Sequence, residues 1–320
     1  MANFDSFAEM IQQVIVYSGN EETEQAAYDL LTEAAPHFPD QHQAALIYNW
    51  RYCAAARMNQ TDLALQLIQE ALDLGFWSSA AYLTSDDDLK SLQDLPEFKR
   101  LVELNEQKYQ EALAESKPVA LILQDPPTTG QPLPLLLSLH GNAMNAEETA
   151  QHWQSAVPLG WYTVILQSSQ IFSPNAYVWN DLELGASEIK AHYQDLIAST
   201  TLEPGLTVVG GFSKGGEMAI WLALKEIIPL AGFIAVNPGG PYIEDISLFL
   251  PLLENCRSLG HLRAWLIAGE NDRNLPKLKA LHEMFCAHGL NCQLIIAPDT
   301  GHAFPNDFDQ TLAQALQAFR

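Results

Sequence analysis

A serine in a glycine-rich pentapeptide is the first residue in this sequence whose setting suggests chemistry. Ser213 lies in the pattern Gly-x-Ser-x-Gly formed by residues 211–215. The apolar run Leu206–Val209 before it predicts a strand, and apolar residues at helical spacing follow it. Glycines suit such a sharp turn, because larger side chains would collide with the neighbouring strand and helix. The pattern predicts that Ser213 is a nucleophile; the alternative is a chance pentapeptide in a structural or nucleotide-binding turn.

A serine hydroxyl is a poor nucleophile near neutral pH, so it needs a neighbouring base. His302 is the best-placed histidine, since it lies in the loop after the late predicted strand Cys292–Ile296. Six other histidines fall in helical or near-helical segments: His37, His42, His152, His192, His282 and His288. His261 precedes a strand. His140 follows one, and we interpret it as a structural residue of that turn.

The imidazole in turn needs a carboxylate that fixes its tautomer and stabilises its cation. Asp272 is the predicted partner, because a short turn beyond the strand Arg263–Ile267 places it over the sheet. Glu270 is the second choice. Asp299 is nearer to His302 in sequence, but closeness in sequence does not supply the required geometry.

The oxyanion of an acyl-transfer intermediate needs two hydrogen-bond donors. The backbone N–H of Lys214, the residue after the serine, is one predicted donor. The other comes from the loop after the strand Leu135–Leu139, where Asn142 is the first choice and Ala143 the alternative. A positive charge on Lys214 beside the site would favour anionic substrates.

Aromatic residues close to these positions predict a substrate pocket. Its candidates are Trp179, which follows the third strand, and Phe212 and Phe304, which are near Ser213 and His302 in sequence. Core packing is an equally good interpretation of the aromatic residues after the third strand. The sequence has no phosphate-binding loop with a Walker lysine and no His/Glu metal spacing, so we predict no metal and no cofactor.

Alternating strands and helices must position these residues. Beyond Pro118, apolar runs predict seven strands: Val119–Leu123, Leu135–Leu139, Tyr162–Leu166, Leu206–Val209, Gly232–Val236, Arg263–Ile267 and Cys292–Ile296. Helical patterns lie between them, for example near Ala146–Ser155, Leu182–Ala198 and Leu278–Ala287. This alternation predicts a mostly parallel sheet that is covered on both faces. Ligands of such sheets bind beyond the carboxyl ends of the strands.

The first hundred or so residues have only helical periodicity. Residues 52–75 resemble a tetratricopeptide repeat, with a small-residue first helix, a short polar turn and an Ala/Leu-rich second helix. We therefore predict an all-α, tetratricopeptide-like domain over residues 1–115 and an α/β domain over residues 116–320. Arrays of this kind bind proteins in a concave groove, which makes a protein partner of the helical domain a prediction as well.

The net charge of the chain argues against two classes of binding partner. The 320 residues carry a formal net charge of −23, with only 16 Lys and Arg in total. Binding of nucleic acid needs clustered Lys and Arg, so the composition argues against it and against an anionic membrane surface. The N-terminus lacks the features of a signal peptide, and no stretch approaches the roughly 18 consecutive apolar residues of a membrane helix. We predict a cytoplasmic protein without a membrane span.

Residues 118–320 resemble the α/β-hydrolase superfamily, in the chain order Ser213, Asp272 and His302. Within it they look like the carboxylesterase, phospholipase and dienelactone-hydrolase-like esterases. The resemblance implies the α/β-hydrolase fold and hydrolysis of a small-molecule ester through an acyl-enzyme. Lys214 is a departure, since these esterases more often carry Gln, Met or His there. Peptidase, thioesterase and acyltransferase chemistry stay open, as does an interaction protein whose hydrolase fold is a scaffold.

Overall fold

The computed structural model describes residues 7–19, 22–125 and 131–320, and it divides into two units. One unit comprises the chain up to Ser116 together with Ile171–Ala176. The other comprises Lys117–Gln170 and Tyr177–Arg320. The short segment Ile171–Ala176 thus groups with the helical unit, whereas the sequence-based division assigns it to the second domain. No described helix is long and apolar enough to cross a membrane.

The first unit is built from amphipathic helices. Its described α-helices are Phe7–Tyr17 (α1), Glu24–Ala34 (α2), Gln41–Arg57 (α3), Thr61–Asp73 (α4), Ala80–Ser85 (α5) and Pro96–Glu115 (α6). Two short 3₁₀ turns, Ala35–His37 and Asp87–Leu92, lie between them. The apolar faces form one cluster among α1, α2 and the first half of α3, and a second among α3 to α6. Burial of these apolar faces stabilises the helices, in agreement with the all-helical region that the sequence predicts.

Charged side chains connect three elements of the helical unit. Arg57 of α3 binds Glu24 of α2 with an Nη2–Oε1 distance of 2.5 Å, and it also binds Asp88 of the second 3₁₀ turn. Beside them the Cys53 thiol donates to a carboxylate oxygen of Asp86 at 3.6 Å. Within the described residues, Cys53, Asp86 and Asp88 are the one group whose side chains could converge on a metal ion. Arg57 already neutralises part of the negative charge of this group, because it is paired with Asp88.

The second unit is organised around a seven-stranded sheet in the order β1-β3-β2-β6-β7-β8-β9. Its strands are Val119–Ile122 (β1), Leu133–Leu139 (β2), Tyr162–Gln167 (β3), Leu202–Phe212 (β6), Gly232–Val236 (β7), Arg263–Gly269 (β8) and Asn291–Ala297 (β9). Only β1 is antiparallel to its neighbour within this sheet. Two short strands, Ile171–Ser173 (β4) and Ala176–Tyr177 (β5), pair separately.

Helices cover both faces of the large sheet. They are Ala146–Trp153 (α7), Leu182–Ser199 (α8), Lys214–Leu224 (α9), Pro241–Glu244 (α10), Leu250–Asn255 (α11), Leu275–Ala287 (α12) and Phe308–Phe319 (α13). Alternate residues of a strand face opposite sides. Leu135, Leu137 and Leu139 therefore pack with α8, α9 and α12, whereas Leu136 packs with α7 and α13.

The five central and late strands are parallel, so their carboxyl ends meet at one edge of the sheet. Each is followed there by polar residues that the sequence or the structure singles out. His140 follows β2, Ser213 follows β6, and Asn237 follows β7. Asp272 and His302 lie in the loops after β8 and β9. Parallel pairing thus gathers residues that are up to about 160 positions apart in sequence.

Candidate active site

The turn that carries Ser213 is strained and held at both ends. Ser213 has a φ of +51° and lies between the last residue of β6 and the first residue of α9. A non-glycine residue in this left-handed region costs free energy, so surrounding contacts must maintain it. The Ser213 N–H donates to the Val236 carbonyl at 3.0 Å, and the Gly239 N–H donates to the Ser213 carbonyl at 3.0 Å. Backbone contacts with the end of β7 therefore fix the serine.

The flanking glycines are required by close backbone approaches. A Cβ on Gly211 would lie 2.2 Å from the carbonyl oxygen of Gly215. A Cβ on Gly215 would lie 2.3 Å from the carbonyl oxygen of His140, which follows the neighbouring strand β2. Neither space can hold a side chain, which is the steric reason for a Gly-x-Ser-x-Gly pattern at this turn.

Ser213, His302 and Asp272 form a continuous chain of hydrogen bonds. The distance from His302 Nε2 to Ser213 Oγ is 2.9 Å, and that from His302 Nδ1 to Asp272 Oδ2 is 2.7 Å. With the ring proton on Nδ1, the imidazole donates to the carboxylate and accepts from the serine hydroxyl. The structure therefore brings together the three side chains that the sequence analysis selected.

Burial and hydrogen bonding act in opposite directions on Asp272. Its side chain is fully buried, whereas the His302 side chain is 38% exposed. Burial alone would raise the pKa of Asp272, but hydrogen bonds from His302 and from the backbone N–H of Asn274 at 2.8 Å outweigh it and lower the pKa. The carboxylate therefore stays ionised beside the ring, where a negative charge stabilises an imidazolium.

The two other acids considered from the sequence face elsewhere. Glu270 is exposed, and its carboxylate accepts the backbone N–H of Asp299 at 3.2 Å. Asp299 is exposed as well and occupies a turn with a φ of +51°. The imidazole nitrogen is bonded to Asp272 instead, so the geometry selects Asp272 over both.

Asn237, which the sequence analysis did not single out, connects the loops that hold the histidine and the acid. This fully buried residue follows β7. Its Nδ2 donates to the Ala303 carbonyl at 2.6 Å and to the Gly301 carbonyl at 3.3 Å, and its Oδ1 accepts the Gly269 N–H at 2.7 Å. One carboxamide thus holds both residues around His302 and the end of β8. Its place directly after a parallel strand was the available sequence signal.

The two predicted oxyanion donors lie in the turns next to the serine. Lys214 is the first residue of α9, so its N–H has no helical acceptor four residues earlier. Asn142 is exposed in the turn after β2. The preceding Gly141 approaches the serine turn so closely that a Cβ on it would lie 2.9 Å from the Phe212 ring. Their role as donors remains a prediction.

The Lys214 side chain does not offer its charge to a substrate. Its ammonium binds the carboxylate of Glu217, and the two side chains are 8% and 0% exposed. Glu217 also accepts the Tyr242 N–H at 2.9 Å, which ties α9 to the start of α10. The expectation that Lys214 favours anionic substrates is therefore not supported, because the charge is neutralised inside the protein.

His140 and Trp179 belong to the packing beneath the site. The fully buried Trp179 stacks on His140 at 4.7 Å between ring centroids, and its indole N–H donates to the His140 carbonyl at 3.0 Å. The His140 ring accepts the Ser168 N–H at Nε2 and lies 2.7 Å from the Gly141 carbonyl at Nδ1. Core packing is thus the better of the two interpretations of Trp179, and it is not an open pocket wall.

The other two predicted pocket residues form an aromatic surface next to His302. Phe212 lies 5.3 Å from the His302 ring and 4.7 Å from the Phe304 ring, between centroids. Phe304 stacks in turn on His152 at 3.8 Å. Both phenylalanines are partly buried. Phe212 therefore places an apolar ring beside the imidazole, and Phe304 extends that apolar surface.

Comparisons with known proteins agree with this architecture. Residues 6–113 match a family described as "A/B hydrolase-like, N-terminal domain". The whole chain is similar to the crystal structure of an uncharacterized protein from Bacillus cereus ATCC 10987, with a TM-score of 0.54, 24% identity, and coverage of 98% of this chain and 99% of that chain. The chain has the α/β-hydrolase fold with an N-terminal helical domain. This confirms the predicted fold class.

A second solved structure is similar to only part of this chain. Esterase PE8 is similar with a TM-score of 0.50 and 21% identity, over 64% of this chain and 98% of that chain. No curated protein sequence matches the chain. At such identities the likeness describes the fold, so the chemistry has to be argued from the geometry of Ser213 and its neighbours.

Proposed function

We infer that this α/β-hydrolase is a serine hydrolase that cleaves a carboxylic ester. The observation that carries the inference is the hydrogen-bonded chain from Ser213 Oγ through His302 to Asp272, at 2.9 and 2.7 Å. A serine held in this way by a neutral imidazole is activated for attack on an acyl carbon. The strained backbone of Ser213 supports the same inference, since strain of this kind clusters at active sites.

In the acylation half of the proposed reaction, the serine attacks and the histidine first accepts and then donates a proton. Ser213 Oγ bonds to the ester carbonyl carbon while its proton moves to His302 Nε2. The backbone N–H groups of Lys214 and Asn142 bind the oxyanion. The bond between the acyl carbon and the alcohol oxygen then breaks, His302 Nε2 donates its proton to that oxygen, and the acyl group remains on Ser213 as the alcohol leaves.

Deacylation repeats these steps with water. His302 removes a proton from the water that attacks the acyl carbon, and then returns that proton to Ser213 Oγ as the acid leaves. Asp272 remains an anion throughout, and it stabilises the imidazolium that forms twice in each cycle. No step needs a metal or an organic cofactor.

Esters are proposed before thioesters or peptides, although the same groups would serve all three. The structural neighbour named as an esterase supports this order. Phe212 and Phe304 give the site an apolar side that suits a small acyl or alcohol group. The proposal rests on residues of the second unit, and a protein partner of the helical domain stays a separate prediction.

The test combines turnover with covalent labelling. The purified full-length protein should hydrolyse p-nitrophenyl acetate and react with a fluorophosphonate probe, and Ser213→Ala should abolish labelling and lower kcat by at least about 10³-fold. Ser199→Ala is the matched control, because Ser199 is an exposed helix residue whose hydroxyl binds the Asp195 carbonyl. Labelling that persists in Ser213→Ala would refute the assignment. Parallel assays with a thioester and a peptide anilide would show whether the bond has been named correctly.

A further inference from the structure

The turn Val236–Gly239, which begins at the last residue of β7, holds the nucleophile through its backbone. The Val236 carbonyl accepts the Ser213 N–H at 3.0 Å, and the Gly239 N–H donates to the Ser213 carbonyl at 3.0 Å. The N–H and the carbonyl of the serine are therefore both bonded to one short segment. A shift of this segment would move Ser213 with it.

Asn237 lies between these two contacts with a backbone that few side chains tolerate. Its φ of +40° is in the left-handed region, where asparagine is enriched over most other non-glycine residues. Its N–H donates to the Ile267 carbonyl at 2.7 Å, which anchors the turn on β8. The residue is fully buried, so its side chain has no surface to offer a substrate. Any effect of Asn237 on a reaction must pass through the groups that it binds.

The Asn237 carboxamide holds the turn that carries His302. His302 is the middle residue of a γ-turn, in which the Ala303 N–H donates to the Gly301 carbonyl at 2.9 Å. The Asn237 Nδ2 group donates to the carbonyls at both ends of this γ-turn, at 2.6 Å to Ala303 and at 3.3 Å to Gly301. The two groups that flank the imidazole in the chain are therefore bound to one side chain.

The oxygen of the same carboxamide is fixed on β8. Asn237 Oδ1 accepts the Gly269 N–H at 2.7 Å. Gly269 also touches the histidine turn, since a Cβ on it would lie 2.3 Å from the Gly301 carbonyl oxygen. The two hydrogens and the oxygen of the carboxamide are all used, so its orientation is determined. A reversed amide would place its oxygen against two carbonyl oxygens.

We propose that Asn237 is a positioning residue for the reaction at Ser213. The turn Val236–Gly239 fixes the serine through its backbone and the histidine through the Asn237 side chain, and so sets the 2.9 Å separation between Ser213 Oγ and His302 Nε2. Misplacement of a reacting group by about 1 Å can cost about 10²-fold in rate. The proposal rests on the proposed function and adds a residue that touches neither the substrate nor the reacting atoms.

Asn237→Gly in the full-length protein tests the positioning. Glycine tolerates the positive φ and removes only the carboxamide. We expect kcat for p-nitrophenyl acetate to fall about 10²-fold, with KM within about twofold because Asn237 has no surface to bind substrate. The value of kcat is taken per serine that a fluorophosphonate labels at completion, so unfolded protein does not count. The rate constant of labelling should fall with kcat, although labelling uses no ester.

Asn59→Gly is the matched control. Asn59 also has a positive φ, of +58°, but it is exposed and belongs to the helical unit. Its replacement should leave kcat, KM and the labelling rate within about twofold of the natural protein.

Asn237→Asp is the second variant. It keeps the size of the side chain and an acceptor for the Gly269 N–H, but an ionised carboxylate has no hydrogen for the carbonyls on either side of His302. Once this carboxyl is ionised, kcat should fall about 10²-fold as well.

The outcomes separate positioning from stability and from the reaction. A natural kcat per labelled serine and a natural labelling rate in Asn237→Gly would overturn the positioning, whatever the variant loses in unfolding free energy. Ser213-dependent hydrolysis would then still support the esterase. A raised KM with unchanged kcat would also contradict the proposal, since it would assign Asn237 to substrate binding.

Failures of the two proposals are also distinguishable. A natural protein that labels at Ser213 but cleaves no ester would contradict the esterase, and the labelling rates of the variants would still decide the positioning. A natural protein that neither labels nor cleaves would overturn both. If Asn237→Gly does not fold, Asn237→Asp decides by the same criteria.

Discussion

The two units of this chain surround their buried charges differently. In the helical unit Glu24 is 4% exposed and is paired with Arg57, which also binds Asp88. In the α/β unit the fully buried Asp272 is paired with His302, whose side chain is 38% exposed. We call Glu24, Arg57 and Asp88 the closed set, because each of these charges is paired with an opposite charge of the same unit. We call Asp272, His302 and Ser213 the open set. In the open set a chain of hydrogen bonds runs from the Asp272 carboxylate through the His302 ring to Ser213.

This contrast shows which feature of a buried charge indicates chemistry. Burial and pairing occur in both units, so neither property alone separates structure from catalysis. The distinguishing feature is the partner of the carboxylate, a titratable ring that is partly exposed and hydrogen-bonded to Ser213, the proposed nucleophile. Arg57 cannot take part in proton transfer, since a guanidinium does not lose its proton in a protein.

Asp272→Asn gives the largest expected effect on the open set. The amide preserves the size of the side chain but removes the charge and favours the wrong histidine tautomer, so kcat for p-nitrophenyl acetate should fall by about 10³- to 10⁴-fold. Steady-state kinetics with circular dichroism as the folding check would measure this.

Glu270→Gln is the matched control for that substitution. Glu270 is an exposed acid beyond the same strand, and its carboxylate binds the Asp299 N–H, so its removal should leave kcat within about twofold. A large loss in Glu270→Gln together with an active Asp272→Asn would transfer the role of the acid to Glu270 and would contradict the geometry.

Parallel strands explain why much of the site could be predicted from the sequence. Gly232–Val236 was predicted with the bounds that the structure has, and the serine, histidine and acid could be placed because chemistry follows strand ends. The strand before Ser213 begins at Leu202 and not at Leu206, because the pairing shifts register between Leu133 and Leu135 and Gly205 has a φ of +76°.

Tertiary contacts explain what the sequence left open. Whether Trp179 faces substrate depends on its stacking with His140, which is 39 residues away in sequence. The neutralisation of Lys214 needed Glu217 to be buried on the same helix face. Asn237 carries no motif beyond its place after a parallel strand, and its role follows from the backbone groups of the loop after β9 and of Gly269 that bind its carboxamide. The tetratricopeptide-like character of the first region stays a prediction.

The next largest expected effect is that of the fully buried His140 on the pH dependence of the unfolding free energy. Burial lowers the pKa of His140 from 6.5 to about 4. Below pH 6.5 the unfolded chain binds a proton that the folded chain refuses until about pH 4, so stability should fall as the pH drops through this window. The expected loss from this one residue is about 3 kcal/mol between pH 7 and pH 4. Urea unfolding at several pH values measures it.

The matched variants are His140→Gln and His288→Gln. His288 is exposed, so its replacement should leave the pH dependence of the unfolding free energy as it is in the natural protein. His140→Gln should flatten it between pH 6.5 and 4, whatever its stability at pH 7. If the unfolding free energy changed equally with pH in all three proteins, His140 would be able to take up a proton in the folded state, which would contradict its burial away from water.

Arg57→Met gives the smallest effect and the sharpest test of the contrast. Removing the cation leaves Glu24 buried without its partner, which we expect to cost about 2 kcal/mol, less than the roughly 3–5 kcal/mol of a fully buried pair because the Arg57 side chain keeps 22% exposure. Urea unfolding measures this, with Arg100→Met, which removes the cation of an exposed pair with Glu97, as the control. The kcat of folded Arg57→Met should match that of the natural protein, because Ser213, Asp272 and His302 all lie in the other unit. A kcat loss of the size expected for Asp272→Asn would show that the closed set takes part in the reaction, and burial geometry would then not separate structure from catalysis.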